Sequence, residues 1–469
     1  MALADSRIVE GGPQPPSVQN AADREFAHAI ALHQGGQLDE ALRSYARVLE
    51  LEPLHRDALN NLGVVLRAKG RNLAALAAYE RALALQPEDP GLLCNIGNVL
   101  RGMGRLDRAL SVLHQAVALA PSAPAMHHNL GLALRDLGLF KDALACLDRS
   151  LSLWPNNVRV KLDRAFTLLS MGDYRGGFEG LEARFDVWGE APDDRLPLWN
   201  GGNLNGQAIL LQAERSAEDT VQFIRFAPFV RARGARVIVA CPAELKRLVS
   251  TAAGVDAVAP FGEDPEAVHG GPIQCRLPLL SSPKVLGITL DNLPRRPAYL
   301  SAPERAGFEL KHPESARLAV GLVWADRESQ AGDGLALPSL AHFMPLLGRA
   351  DIASYSLQTG SHASELQTIG AVGLVHDLSH LLNDIDDLAR IVEQLDLVIT
   401  VNTTVAQLTA ALGLPVWLVL PYASDWRWAL EPESTPWYPT MRLFRQPASG
   451  DWQGAFDAVA RKLHALVAT

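Results

Sequence analysis

A fixed interval of 34 residues constrains the fold of this chain more strongly than any other feature of its sequence. Four positions recur at that interval, and they are held by glycine, alanine, proline and a second glycine: Gly36, Gly70, Gly104, Gly138 and Gly172; Ala41, Ala75, Ala109 and Ala143; Pro53, Pro87, Pro121 and Pro155; Gly63, Gly97 and Gly131. A constant period of about 20–50 residues is the signature of stacked repeats, none of which buries its hydrophobic face alone. The interval therefore predicts an array of similar helical units.

Each recurring position has a physical role in a pair of helices. The first glycine ends the first helix, the alanine permits close helix approach, and the proline stops the second helix. This pattern resembles the tetratricopeptide repeat (TPR). It predicts an all-α TPR solenoid over residues 21–186 with about five repeats. The fifth repeat, from Val158, is weaker because Gly177 stands where the alanine belongs, and it is expected to cap the array.

Three asparagines, Asn61, Asn95 and Asn129, hold the same position of the first helix in successive repeats. A carboxamide both donates and accepts hydrogen bonds, so a row of them can hold a peptide backbone of any sequence. The row resembles the asparagine ladder of the O-linked N-acetylglucosamine transferases, which holds extended protein substrates. The alternative is that these asparagines form helix-to-helix hydrogen bonds inside the array. The first interpretation predicts a protein partner in the groove of the solenoid.

The rest of the chain alternates short apolar runs with helical segments, a pattern typical of parallel βαβ units. Residues 1–20 are expected to be disordered, and residues 187–205 form a linker rich in proline, glycine and aspartate. Two Rossmann-like halves are predicted at 206–310 and 316–446, followed by a C-terminal helix within 447–469. The predicted strands are 208–212, 236–240, 257–260, 273–276, 318–324, 352–357, 397–401 and 416–420. The predicted fold class is therefore multidomain, an all-α solenoid followed by an α/β module.

The stretch from residue 396 to residue 446 carries the clearest indication of a ligand site. The polar turn at residues 402–404 lies between a buried strand and a helix, where unpaired N–H groups can hold an anion. In parallel sheets, ligands bind beyond the carboxyl ends of the strands. After the next strand, residues 425–428 and 436–439 bring large aromatic side chains into a loop. This stretch therefore predicts a pocket.

Several segments form a recognisable set. They are LLQAE at 210–214, Asp219-Thr220 with Gln222, Phe223 and Arg225, VGLVWA at 320–325, SLQ at 356–358, residues 395–417, DWRW at 425–428 and PWYPTMRLFRQ at 436–446. Together they resemble bacterial TPR proteins that carry a heptosyltransferase-like GT-B glycosyltransferase module. The resemblance implies metal-independent transfer of a sugar from a nucleotide-activated donor to Ser or Thr of a polypeptide, flagellin being one acceptor that fits. It implies no permanently bound cofactor.

The resemblance also implies roles for individual residues. Asp219 matches the acidic residue of the first loop and is the candidate catalytic base, although its position equally suits a cap for the following helix. The candidate donor-binding residues are Gln358, Asn402, Thr403, Thr404, Gln407, Asp425 and Arg427. Each has a structural alternative, such as helix capping for the threonines, turn closure for Gln358 and ion pairing for Arg427. For the tryptophans of this stretch, core packing is the favoured alternative.

Departures from the family pattern favour a second function. The loop at 214–219 lacks both of the family's glycines, and Gly334 and Ala336 stand where the family has arginines that would pair a diphosphate leaving group. Asn402 and Gln407 stand where the family has an acid and a histidine. The alternative to an enzyme is therefore a non-catalytic TPR scaffold with a degenerate GT-B module.

Composition limits the kinds of partner. The net charge of −9 argues against nucleic acid as a main partner, and no apolar run approaches membrane-spanning length. The four cysteines are scattered, which predicts reduced side chains rather than a disulfide framework or a metal site. No secretory signal is visible, so a cytoplasmic protein is expected.

Overall fold

The computed structural model describes residues 21–189, 195–214, 216–304, 309–326 and 338–467. Residues 1–20, for which disorder is expected, lie outside the described residues. So do part of the predicted linker and most of the segment 326–337. The described chain divides into two compact units, residues 21–160 and residues 161–467.

The first unit is an all-α solenoid, which confirms the predicted fold class for this part of the chain. Its helices are α1 Ala21–Gln34, α2 Leu38–Leu51, α3 Arg56–Ala68, α4 Asn72–Leu85, α5 Pro90–Gly102, α6 Leu106–Leu119, α7 Pro124–Asp136 and α8 Phe140–Leu153. Glycines in the left-handed region, such as Gly70 (φ +73°) and Gly104 (φ +71°), follow the first helix of each pair. A residue with a side chain rarely adopts this conformation, so the recurring glycine fixes each turn.

Close packing between paired helices explains the second set of glycines. A Cβ atom built on Gly97 in α5 would lie 2.5 Å from Cγ of Leu113 in α6, and one on Gly63 would lie 2.6 Å from the Tyr79 ring. Leu113 and Tyr79 are completely buried. The two helices of each pair therefore approach to a distance that only glycine permits at this position.

Replacing Gly97 with alanine should destabilise the solenoid by about 1–3 kcal/mol, because the added methyl group overpacks a filled core. Gly102→Ala is the matched control, since a Cβ on Gly102 in the same helix meets nothing within 4 Å. The measurement is thermal unfolding of the full chain by circular dichroism. Equal melting temperatures for the two variants would contradict this account of the packing.

The second unit begins with a helical pair, α9 Val158–Ser170 and α10 Tyr174–Gly180, of which α9 spans the division at Val160. This pair corresponds to the predicted fifth repeat. Its aromatic side chains pack inside the second unit: the Phe178 ring centroid lies 6.3 Å from that of Phe223 and 5.9 Å from that of Trp426. The fifth helical pair therefore contributes to the core of the second unit.

Two parallel sheets form the rest of the second unit and confirm the predicted α/β class. The first sheet has the order β3-β2-β1-β4, with β1 Ala208–Gln212, β2 Arg236–Cys241, β3 Ala257–Pro260 and β4 Cys275–Pro278. The second has the order β10-β9-β8-β5-β6-β7, with β5 Leu318–Val323, β6 Ile352–Ser356, β7 His376–Asp377, β8 Leu397–Val401, β9 Val416–Leu420 and β10 Met441–Arg445. All of these strand pairs are parallel.

Further helices of the second unit lie before, between and after these strands. They are α11 Arg184–Trp188, α12 Ala217–Phe223, α13 Ala227–Arg231, α14 Lys246–Ser250, α15 Pro265–His269, α16 Ser282–Val285, α17 Leu340–Phe343, α18 Glu365–Thr368, α19 Ile385–Val392, α20 Thr404–Ala411 and α21 Trp452–Val467. In the first sheet the strand order reverses between β1 and β4, and in the second it reverses between β5 and β8. Such reversals open a crevice at the carboxyl ends of the strands, which is where parallel sheets bind ligands.

Candidate functional site

Two helices start at the two crevices, and they define the candidate site. α12 follows β1 of the first sheet, and α20 follows β8 of the second sheet. The two helices contact one another inside the second unit. The polar groups at their N-terminal ends therefore come from both sheets and meet at one place.

Two side-chain contacts join the sheets at this place. The Thr404 hydroxyl donates a hydrogen bond to Oε1 of Glu218 at 3.1 Å. A guanidinium nitrogen of Arg427 lies 2.6 Å from Oδ1 of Asp219. Glu218 and Asp219 belong to α12, whereas Thr404 and Arg427 belong to the second sheet and its following loop.

The Arg427 guanidinium is the centre of the cluster. It pairs with Asp219 and, at 2.9 Å, with Asp425, and its Nε donates to Oε1 of Gln222. Its side chain is only 14% exposed. Burial opposes the charge, but Asp425 and Asp219 outweigh that effect and raise the pKa of Arg427. The structure therefore brings together three predicted site residues, Asp219, Asp425 and Arg427.

The structure assigns the helix cap to a different residue. Ser216 is the N-cap of α12, and its hydroxyl accepts a hydrogen bond from the Asp219 N–H at 2.9 Å. The capping alternative for the Asp219 side chain was therefore wrong. Its carboxylate pairs with Arg427 through Oδ1, and among the described residues no donor reaches Oδ2.

Glu218 has a perturbed environment that the sequence did not reveal. Burial raises the pKa of its carboxyl group, and the hydrogen bond from Thr404 and the charge of Arg427 offset this only in part. The sequence marked residues 214–219 only as a loop that lacks the family's two glycines. A buried acid with a raised pKa in a crevice is instead a candidate for proton transfer.

The other candidate donor-binding residues make internal hydrogen bonds. Gln358 is 2% exposed, and its carboxamide bonds the backbone of Trp324, Ala325 and Thr359. The Thr403 hydroxyl lies 3.0 Å from that of Thr400. Gln358 therefore closes the turn after β6, as its structural alternative proposed. Thr403 stands at the N-cap position of α20, but its side chain makes no capping hydrogen bond and contacts Thr400 instead.

Asn402 and Gln407 anchor aromatic residues. The Asn402 oxygen accepts from the indole N–H of Trp428 at 3.1 Å, and the Gln407 oxygen accepts from the Tyr438 hydroxyl at 3.1 Å. Trp428, Trp437 and Tyr438 are each at most 1% exposed. The core-packing alternative therefore describes these aromatic side chains.

A second buried arginine, Arg225, holds the loop that carries Arg427. Arg225 donates to the backbone oxygen of Trp437 at 2.6 Å and to the Tyr299 hydroxyl at 2.8 Å, and it lies 4.5 Å from the Tyr438 ring centroid. These contacts fix the loop that carries Arg427. Arg225 and Gln222 were part of the recognised sequence set, and that signal could have identified their positions.

The first unit contains the candidate groove for a polypeptide partner. A cavity of about 510 Å³ is lined by residues from three successive helical pairs: Arg56, Asp57, Asn60, Asp89, Pro90, Gly91, Leu92, Cys94, Asn95, Ala120, Ala123, Pro124, Ala125, Met126, Trp154 and Asn157. Trp154 is 52% exposed although it is apolar. Carboxamides, a cation, carboxylates and an exposed indole therefore surround one open volume.

Only one of the three predicted ladder residues, Asn95, lines this cavity. Asn61 has no exposed area, and Asn60 takes its place in the lining. The Asn95 carboxamide donates to the Asn60 oxygen at 3.0 Å, and that of Asn129 donates to Sγ of Cys94 at 3.0 Å. Asn95 and Asn129 therefore form hydrogen bonds between helices of successive repeats, as the second interpretation of these asparagines proposed.

Comparison with known proteins identifies the class of the first unit. Residues 26–90 and 94–158 match the family model for the tetratricopeptide repeat, so these residues are TPR repeats. The chain is 26% identical to Protein FlbA of Caulobacter vibrioides over 323 residues, which is 62% of this chain and 53% of that protein. The chain therefore spans about half the length of the curated relative it matches.

Solved structures of other proteins are also similar to part of the chain. MamA from Desulfovibrio magneticus RS-1 is 21% identical, with a TM-score of 0.32, covering 37% of this chain and 96% of MamA. PilF of Pseudomonas aeruginosa is 25% identical, with a TM-score of 0.33, covering 37% of this chain and 79% of PilF. Among the described residues, no helix is long and apolar enough to cross a membrane, and no group of His, Cys, Asp or Glu is arranged to hold a metal ion.

The Glu218 carboxyl predicts a pH-dependent stability difference. Its pKa is higher in the folded chain than in the unfolded chain, so ionising it costs folding free energy as the pH rises through and above the usual carboxyl range. Glu218→Gln cannot ionise and keeps an oxygen for Thr404. The variant should therefore melt at a higher temperature than the wild type at pH 8, and the difference should shrink towards pH 5.

Glu263→Gln is the control for this measurement, because it removes the same charge from an exposed loop position. Differential scanning calorimetry across the pH range compares both variants with the wild type. If the difference in melting temperature between Glu218→Gln and the wild type does not change with pH, the raised pKa of Glu218 is contradicted.

Proposed function

We propose that this chain is a protein glycosyltransferase whose TPR groove captures a polypeptide acceptor and whose α/β module is a GT-B glycosyltransferase module. One observation carries the proposal: acidic residues of the first sheet meet Thr404 and Arg427 of the second sheet where both sheets reverse their strand order. Two parallel sheets with facing crevices suit a donor and an acceptor held from opposite sides. The resemblance of the sequence segments at 210–225, 320–325, 356–358 and 395–446 to heptosyltransferase-like proteins supports the same proposal.

The proposed reaction uses Asp219 as the base. A Ser or Thr hydroxyl oxygen attacks the anomeric carbon of the donor sugar, and the bond from that carbon to the nucleotide phosphate breaks with its electron pair. The hydroxyl proton passes to Oδ2 of Asp219, which no described residue occupies. Arg427 holds the other oxygen, so the carboxylate is oriented and charged before the proton arrives.

The donor phosphate is assigned to the N-terminal end of α20. Thr404 begins this helix, where backbone N–H groups and a hydroxyl can bind an anion. In the structure the Thr404 hydroxyl donates its hydrogen bond to Glu218, so a bound phosphate would have to replace Glu218 as the acceptor. A carboxyl group with a raised pKa takes up a proton readily, and the neutral form removes repulsion from the phosphate.

In this proposal the TPR groove binds the polypeptide acceptor. Its lining offers the carboxamide N–H groups of Asn157 for hydrogen bonds to a backbone and the exposed indole of Trp154 for an apolar side chain. A cavity of about 510 Å³ accommodates several residues of an extended segment. Flagellin remains an acceptor that fits this pairing of domains.

A non-catalytic scaffold is the second candidate function. It is favoured by the closed hydrogen-bond network of Gln358, Asn402, Thr403 and Gln407, which leaves these four side chains committed to the protein itself. In this case the α/β module binds no nucleotide, and capture of a polypeptide by the TPR groove is the whole function.

Acceptor capture should depend on Trp154. Trp154→Ala removes the exposed indole from the cavity wall and should weaken binding of flagellin by about tenfold or more, since buried tryptophans dominate interfaces. Leu73→Ala is the control, because Leu73 in α4 is 51% exposed but does not line the cavity. Surface plasmon resonance measures both, and equal affinities for the two variants would refute the groove as the capture site.

Sugar transfer should depend on Asp219. Asp219→Asn keeps an oxygen for Arg427 but cannot accept the proton, so transfer should fall by about 100-fold or more while donor binding persists. Asp291→Asn, which neutralises an exposed carboxylate of the same unit, is the control. The measurement is the intact mass of flagellin after incubation with a panel of nucleotide-activated sugars.

Calorimetry with the same donors separates the two candidate functions. Heat of binding by any nucleotide or nucleotide sugar, together with the Asp219→Asn defect, supports the enzyme. No binding at millimolar concentration would exclude the enzyme and leave the scaffold.

A further inference from the structure

A second cavity of about 350 Å³ lies in the α/β module, and none of its lining belongs to the cluster of Glu218, Asp219, Thr404 and Arg427. It is formed by the edge strand β10, the loop before it and one face of α21. Its lining residues are Pro432, Glu433, Arg442, Leu443, Phe444, Arg445, Ala458, Arg461, Lys462 and Ala465. The cavity therefore combines four cationic side chains with one carboxylate.

The face of α21 explains why the cavity is open. Ala458, Arg461, Lys462 and Ala465 follow the spacing of one helix face. The two alanines are short and leave space beside the strand, while the two cations between them are exposed. The same face of α21 therefore provides both the open space of the cavity and two of its positive charges.

The strand side contributes two arginines. Arg442 pairs with Glu433 at 2.6 Å, but its buried Nε has no hydrogen-bond partner among the described residues. A buried guanidinium N–H without an acceptor is costly and rare. Arg442 therefore carries one guanidinium N–H whose hydrogen-bonding capacity the described residues leave unused.

Arg445 lacks a compensating carboxylate within the described residues. Its guanidinium donates to the Ser424 hydroxyl and to the backbone oxygens of Trp428 and Glu431, all of which are neutral. These bonds fix the position of the group, and burial lowers its pKa. A fixed and partly buried cation without an anionic partner is stabilised by an anion placed beside it.

The balance of charge selects the kind of anion. Four cations against Glu433 give the cavity wall a formal charge of +3, in a chain whose net charge is −9. A monovalent carboxylate leaves most of that charge uncompensated, whereas phosphate and diphosphate carry several charges. Their oxygens also accept the paired N–H groups of arginine. We propose that this cavity is a binding site for a phosphate or diphosphate group.

Calorimetric titration of the full chain with inorganic pyrophosphate at constant ionic strength tests the proposal. Arg461→Gln with Lys462→Gln removes two exposed cations and should raise the dissociation constant by about tenfold or more, since charge-assisted bonds are the strong ones. Arg236→Gln with Lys246→Gln is the matched control, because it removes the same charge from exposed positions in β2 and α14. The control should bind like the wild type.

A third variant separates this cavity from the donor-phosphate position. Thr404→Val should keep pyrophosphate binding at the β10–α21 cavity. Loss of binding in Thr404→Val with no change in the Arg461/Lys462 variant would refute the proposal. So would equal weakening in both charge variants, or no binding by the wild type. Adenosine diphosphate forms a second arm: tighter binding than pyrophosphate indicates a nucleotide source, and equal binding indicates that the phosphate groups alone are recognised.

Discussion

The second unit depends on one mostly buried guanidinium. Arg427 lies between a carboxylate of α12, which follows the first sheet, and a carboxylate of its own loop, which follows the second. Removing one partner of such a pair costs about 3–5 kcal/mol, because a charge is left buried without compensation. The position of α12 relative to the loop after β9 is thus fixed by ionic contacts as well as by apolar packing.

Aromatic packing surrounds this ionic centre and uses neighbouring residues of the same loop. Trp426 lies beneath the Arg427 guanidinium at 4.5 Å, and its ring packs against Trp437 and Phe178. The residues that carry the candidate chemistry therefore alternate along the chain with residues that form the core. A change in this loop is therefore expected to alter folding and binding together.

The buried strands and long helices could be predicted from the sequence because their patterns are unambiguous. β8 and β9 are continuous apolar runs, and α21 begins and ends where its amphipathic pattern does, at Trp452 and Val467. β10 was not predicted, since MRLFR alternates arginine with apolar residues and reads as part of a loop. It is an edge strand, and its residues 442–445 line the basic cavity.

The site could be predicted only as a set of positions. Strand ends locate Asp219 and Thr404, but nothing in the spacing of α12 shows that Ser216 caps it or that Glu218 reaches Thr404 across the module. In the solenoid the period is equally compatible with Asn60 or Asn61 in the groove. One residue is about 100° of rotation on a helix, and packing against α4 decides between them.

The hydrogen bonds between successive repeats have an evolutionary consequence. Asn95 reaches Asn60, Asn129 reaches Cys94, and Arg101 reaches Asp136, each pair being 35 residues apart. Every such link joins a repeat to its immediate neighbour, while the acceptor varies between amide, thiol and carboxylate. The links therefore tolerate exchange of one partner at a time. A solenoid of this kind can acquire a new recognition surface by altering a single repeat, without redesign of the remaining array.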